Sequence, residues 1–200
     1  MIRESFKTYP QCQVLVKNGV TSAVYNIDNL EYMKRCVDNQ FDLAIVDPPY
    51  FSGPEKRQFY GKSESTIGVK RKNYNVSAWE IPGQEYFDEL FRVSKRQIIW
   101  GCNYFNYQFG PGRIVWDKVN GSSKYSDAEI AYCSEHYSVR MFRYMWNGMN
   151  QGKSIEEGHI MQGNKRLNEQ RIHVTQKPVA LYKWLLQTYA KPGWKILDTH

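Results

Sequence analysis

The clearest feature of the hydrophobic pattern lies in FDLAIVDPPY, residues 41–50, where four apolar β-prone residues, Leu43, Ala44, Ile45 and Val46, stop abruptly at Asp47. An uninterrupted apolar run closed by turn formers reads as a strand buried on both faces. Pro48 and Pro49 then forbid any continuation of the ladder, because neither has an amide hydrogen and each fixes φ near about −65°. Residues 84–94 keep the helical period in Tyr86, Phe87, Leu90, Phe91 and Ser94, with Glu85, Asp88 and Glu89 outward or near the start. Residues 97–100 and 114–116 read as further strands, the second ending at Asp117 and Lys118.

The remaining elements follow the same logic. Residues 12–16 and 23–27 are short β-prone runs separated by Lys17-Asn18-Gly19, a turn signal, so a hairpin or two short strands open the pattern. Asp28 can cap a helix running through Val37, with Leu30, Met33 and Val37 on one face. Residues 103–109 read as a short helix or a turn, stopped by Gly110-Pro111-Gly112. Residues 128–133 and 139–146 read as antiparallel strands. Pro178 opens a helix lined by Leu181, Trp184, Leu185 and Thr188, and residues 194–197 form a last strand. Helices alternating with apolar strands predict a doubly wound α/β sheet in one domain over 1–200. Asp47 would sit at the carboxyl end of a central strand, the edge at which such sheets take ligands.

Two stretches lack periodicity. Residues 51–82 carry Lys56, Arg57, Lys62, Lys70, Arg71 and Lys72 against Glu55, Glu64 and Glu80, with Phe59, Tyr60, Tyr74 and Trp79 interleaved. Basic side chains neutralise phosphates and aromatic rings offer stacking surfaces, so the expectation is a basic, mobile loop that binds nucleic acid; the alternative is a solvated loop with a few buried aromatics. Residues 147–171 are rich in Gly, Asn, Gln and mixed charge and read as a long polar connection.

Composition narrows the picture. A hydrophobic content of 42% with 15% aromatics fits a folded chain, and the net charge of +7 favours a polyanionic partner. No apolar run is long enough to span a bilayer and MIRESFKTYP lacks the apolar core of a signal peptide, so an intracellular, cytoplasmic protein is expected. Cys12, Cys36, Cys102 and Cys133 lack a C-x-x-C spacing, which argues for free thiols and against a metal site.

Asp47-Pro48-Pro49-Tyr50 after an apolar strand resembles motif IV of the amino-directed DNA methyltransferases, which methylate adenine N6 or cytosine N4. IHVTQKPVALYKWLL, residues 172–186, resembles that family's motif X, and KILDTH, residues 195–200, the opening of its motif I. The order IV, X, I is similar to the circularly permuted β group. The resemblance implies a Rossmann-like class I methyltransferase sheet with an antiparallel terminal hairpin, S-adenosyl-L-methionine as cofactor and DNA as partner. It implies catalytic roles for Asp47, Pro48, Pro49 and Tyr50, and a cofactor pocket including Asp28, Thr175, Gln176, Lys177, Pro178 and Asp198. For Asp28 a plain helix cap is the alternative. The resemblance also implies target recognition by 147–171. In the family LDTH leads into a glycine-rich loop and further strands, so the sheet is expected to be incomplete and the cofactor half to lack its last strands. Aspartate at the first motif position resembles the adenine-N6 version; a cytosine-N4 enzyme, an RNA adenine methyltransferase and an inactive nucleic-acid-binding remnant are the alternatives.

The chemistry fits those residue types. The exocyclic amine of adenine is a poor nucleophile because its lone pair is delocalised into the ring. Acceptors that hold its N–H groups localise that pair, and the Asp47 carboxylate and the Pro48 carbonyl can supply them. Tyr50 offers a ring on which an extruded base can stack.

Overall fold

In the computed structural model, residues 12–50, 80–121, 126–147, 149–172 and 175–200 are described. The basic loop, with Lys56, Arg57, Lys62, Lys70, Arg71 and Lys72, lies outside them, as do His173 and Val174. The described elements are β1 (Cys12–Lys17), β2 (Val20–Tyr25), α1 (Asn29–Lys34), β3 (Leu43–Val46), α2 (Gln84–Val93), β4 (Gln97–Trp100), β5 (Arg113–Asp117), β6 (Ala128–Cys133), β7 (Val139–Arg143), β8 (Trp146–Asn147), β9 (Asn150–Gln151), α3 (Val179–Tyr189) and β10 (Ile196–Leu197).

Six strands form the central sheet in the order β10-β3-β4-β6-β5-β7. β10, β3 and β4 pair in parallel, β6 runs antiparallel to both of its neighbours, and β7 adds to β5 in parallel. This is a Rossmann-like α/β fold. The antiparallel hairpin is present, but β5 and β6 form it. The expected pairing of 128–133 with 139–146 does not occur, because β6 is inserted between β4 and β5 and leaves β7 to the outer edge.

The period of two in each strand divides the core into two layers. Ala44, Val46 and Ile99 face α1 and α2, where Met33, Tyr86, Phe87, Leu90 and Val93 cover them. Leu43, Ile45, Ile98, Trp100, Ile114, Trp116, Ala131 and Cys133 face the other way and pack under Leu181 and Leu185 of α3. The crossover from β3 to β4 thus covers one face of the sheet, while α3, leading to β10 on the other side of β3, covers the opposite face. The carboxyl end of β3 is a topological switch point, where two crossovers diverge and leave a crevice.

Local departures from expectation have local causes. The first helix ends at Lys34 and Val37 is exposed. Asn39 takes a left-handed φ of 54°, and the Arg92 guanidinium donates to the carbonyls of Met33 and Cys36, closing the turn there. Pro178 is the residue before the first turn of α3, and Thr188 is exposed. Residues 103–109 form turns with no regular helix. The opening runs do form a hairpin, turned by Asn18 and Gly19 at φ 51° and 77°, the left-handed pair that tight two-residue hairpins require. All four cysteines are free thiols, with Cys12 only half-buried. Among the described residues no helix is long and apolar enough to cross a membrane.

Candidate active site

Asp47 continues the parity of Leu43 and Ile45, so its side chain falls on the α3 face of the sheet at the carboxyl end of β3. The same parity brings three other charged groups to that corner. Lys118 follows Ile114 and Trp116 off the end of β5. Glu129 shares its face with Ala131 and Cys133, and because β6 is antiparallel its start lies where the other strands end; Glu129 is directly opposite Trp116. Lys177 arrives immediately before α3, whose amino end lies over this corner because the helix runs back against the strands.

These groups make a compact ionic centre. The Lys177 ammonium, only 3% exposed, contacts Asp47 Oδ1 and lies 3.1 Å from Glu129 Oε2, while Lys118 Nζ contacts Glu129 Oε1. The Tyr50 hydroxyl reaches Glu129 Oε2 at 3.4 Å. Lys177 Nζ also stands 5.8 Å from the Tyr50 ring centroid and 5.7 Å from that of Trp100, and Lys118 Nζ stands 5.1 Å from Trp116, within the range of cation–π attraction.

Burial and charge act against each other here. Burial raises the Asp47 carboxyl above its ordinary value; the neighbouring Lys177 charge opposes this without cancelling it. Burial pushes Glu129 up too, but the two ammonium groups of Lys177 and Lys118 outweigh it and hold Glu129 below its usual range. For Lys177, burial disfavours the charged form, yet Asp47 and Glu129 more than compensate and the ammonium is raised. Burial drives the Tyr50 phenol well above its ordinary value, with Glu129 and Asp47 adding to it, so Tyr50 is a neutral ring.

Tyr50 itself is placed by a glycine. Gly101, at φ 70°, turns the chain after β4, and a Cβ there would overlap the Tyr50 ring carbons. The ring stacks on Tyr104, centroids 4.7 Å apart and planes 5° apart. Pro48 is buried and Pro49 half-buried beside it.

The residues anticipated for the cofactor separate into three groups. Asp28 is exposed and accepts from the Glu31 amide at 2.9 Å, the geometry of a helix cap. Asp198 lies just past β10, next to β3 on the side away from β4; burial raises its carboxyl and the Asp47 charge adds to that. Neighbouring Thr199 is bound by Tyr86 Oη at 2.7 Å and approached by Asn29 Nδ2, which gathers α1, α2 and β10 at one rim of the crevice. Gln176 turns away from this rim: its Nε2 donates to Glu169 at 2.6 Å, its Oε1 accepts from Ile172 N, and its carbonyl takes the Trp146 indole N–H. Thr175 is exposed and Pro178 buried. Lys177 points to Asp47 and Glu129.

Gln176 thereby ties segment 147–171 to the foot of α3. Gln151 binds the backbone of Glu169 in both directions, and Glu169 accepts from the amide of Val179. This polar connection is ordered by its own β8–β9 pair and by these bonds.

Glu129, Gly101 and Tyr104 were not singled out from the sequence. A signal existed for Glu129: it is the single charge in the apolar run AEIAYC, and it shares parity with the buried Ala131 and Cys133. Among the described residues no cluster of His, Cys, Asp and Glu could hold a metal ion.

The parallel sheet, its switch point and the acid–Pro–Pro–Tyr turn there define a Rossmann-like site with a carboxylate and an aromatic ring at the ligand edge. Two curated proteins are similar to the chain. The Type II methyltransferase M.HpaI of Haemophilus parainfluenzae is 24% identical over 206 residues, covering 84% of this chain and 60% of that protein. The Type II methyltransferase M.HinfI of Haemophilus influenzae is 21% identical over 215 residues, covering 90% of this chain and 59% of that protein. The chain spans about three-fifths of the length of these relatives. No family model matches it. The similarity to these two methyltransferases is distant and agrees with the Rossmann-like fold.

Proposed function

We propose that the chain carries the catalytic half-site of an S-adenosyl-L-methionine-dependent DNA methyltransferase that acts on the N6 amine of an extruded adenine. The observation that supports this most is the Asp47 carboxylate at the switch point beside the Tyr50 ring. In this reading Asp47 accepts one amine N–H and the Pro48 carbonyl the other, which localises the nitrogen lone pair; Tyr50 carries the base on its face. Base and donor held in line supply the rest of the rate through positioning.

The donor set suits such a cofactor. Three carboxylates, Asp47, Glu129 and Asp198, share the crevice with two ammonium groups, Lys118 and Lys177, and the Asp47 charge adds to the burial that raises the Asp198 carboxyl. An arriving cationic ligand relieves that tension. Asp198 and the Asp28–Asn29 rim are the residues that would hold it, and the cofactor when bound supplies an electrophilic methyl on a sulfonium sulfur. Thr175, Gln176 and Pro178 set the amino end of α3, and Lys177 serves Asp47. Segment 147–171, pinned beside the crevice through Gln176, is assigned to DNA target recognition, and Lys56, Arg57, Lys62, Lys70, Arg71 and Lys72 to the phosphate backbone.

The test is methyl transfer from labelled S-adenosyl-L-methionine to duplex DNA and to RNA, followed by nucleoside analysis. Label in N6-methyladenine from DNA alone is the expected result. N4-methylcytosine, or label in RNA, would move the activity to one of the alternatives, and no label in either polymer with DNA still bound would leave the remnant reading.

A further inference from the structure

A buried lysine shared between two acids needs a reason. Sequestering an ammonium from water and half-burying two carboxylates beside it costs several kcal/mol before their attraction returns any of it, and apolar residues of similar volume commonly stabilise a fold as well or better. Lys177 nevertheless sits at 3% exposure between Asp47 and Glu129, and it has two aromatic faces, Tyr50 and Trp100, along its flanks. Among the described residues Lys177 is the one cation in contact with Asp47. Glu129, by contrast, is held by two cations and by the Tyr50 hydroxyl. Glu129 is thus the fixed post of the cluster and Lys177 the arm that reaches from it to Asp47.

We propose that Glu129 and Lys177 are positioning residues for Asp47: Glu129 anchors the Lys177 ammonium, and Lys177 holds the Asp47 carboxylate charged and aimed so that it can accept the target amine. The inference rests on the reading of Asp47 as the residue that engages the base. Among the described residues the titratable and charged groups that face Asp47 are Tyr50 beyond β3, Glu129 on β6, Lys118 after β5, Lys177 and Tyr182 at α3, Tyr86 on α2 and Asp198 after β10. Burial and the Glu129 charge oppose ionisation of Asp47, and the tyrosines are neutral. Lys118 favours it from a distance. Among the described residues Lys177 is the one cation in contact with the Asp47 carboxylate, so on this proposal its protonation state turns on that ammonium. Without it, a half-buried carboxylate beside Glu129 takes up a proton more readily and becomes a donor where an acceptor is needed.

The test has a readout that needs no catalysis. Infrared spectra of the full chain at neutral pH are compared with those of Asp47→Asn. The proposal expects no protonated-carboxyl C=O stretch that this substitution removes; finding one in the wild type overturns it, whether or not Lys177 variants fold and whether or not methyl transfer is detected. Lys177→Met should gain such a stretch. In methyl-transfer assays it should lose at least about 10-fold of the rate at neutral pH, recover most of it near about pH 9, and show an acid limb displaced upward by at least about 1 on the pH scale. Folded Lys177→Met with a wild-type acid limb overturns the proposal. Glu129→Gln removes a charge that raises Asp47, so its acid limb should move down; its kcat should fall with KM for DNA unchanged, because the arm has lost its post. An unchanged kcat in Glu129→Gln overturns the anchoring role. A chain inert in every assay whose infrared spectra behave as expected would refute the catalytic reading and leave the ionic arrangement standing.

Discussion

Two cations in this molecule each bridge a pair of carboxylates, and they differ in what surrounds them. Arg92 on α2 joins Glu89 and Asp38, both at 2.7 Å, and donates as well to the carbonyls of Cys36 and Met33. Its side chain is 30% exposed, its donors are forked onto acceptors of four residues, and its partners belong to α1, the following turn and its own helix. Lys177 has two carboxylates and two ring faces, and almost no water. The first arrangement fastens α1 to α2 and stops α1. The second fastens no helix pair; its acids come from strand ends at the switch point, where a ligand would sit. A wet, fully shared bridge is scaffold, and a dry one at the carboxyl edge of a parallel sheet concerns the chemistry of that edge.

The largest effect that separates the two should come from a residue with no charge. Gly101→Ala places a methyl where the Tyr50 ring lies, at a backbone conformation that L-residues resist, and should cut kcat/KM by about 10- to 100-fold through loss of one stacking face, with the Arg92 network untouched. Single-turnover kinetics with DNA titration checks this. Next in size, Arg92→Ala should lower unfolding free energy by about 1–2 kcal/mol in urea titrations while leaving the acid limb of the methyl-transfer profile where it was. A shift of that limb would erase the distinction drawn between the two bridges.

The smallest effect is one of pH on stability. Hydrogen bonding to Arg92, foremost, holds the Glu89 carboxyl below its ordinary 4.5. A depressed carboxyl contributes stability that is present above its unfolded-state value and is lost as pH falls through the folded one. Wild-type protein should therefore lose an increment of stability below about pH 4.5 that Arg92→Ala does not lose, measured as a difference in the slope of melting temperature against pH.

Much of this was legible in the chain because it depends on neighbours in sequence. The β3 run, the halt at Asp47-Pro48-Pro49-Tyr50 and the stripe of Tyr86, Phe87 and Leu90 each follow from local period and proline stereochemistry. What was hidden depends on register between distant segments. Glu129 meets Lys118 and Lys177 only because β6 slots antiparallel between β4 and β5, which reverses the end of the strand that reaches the site, and residues 128–133 read locally as one half of a hairpin with 139–146. Lys177 was assigned by resemblance to the cofactor pocket, at the start of a helix; its contact with the Asp47 carboxylate depends on the parity of Asp47 on β3 and could not be read from the helix start. The end of α1 before Val37 was equally out of reach, since it is set by Arg92 from another helix.

The central claim is that the Asp47 carboxylate acts on the target amine. The most direct measurement is the single-turnover rate of methyl transfer to duplex DNA by Asp47→Asn, which keeps the shape of the side chain and loses its charge, with DNA affinity measured in parallel. The account predicts a rate lower by about 10²- to 10³-fold and DNA affinity within a few-fold of wild type. A variant rate within a factor of about three of wild type would contradict it.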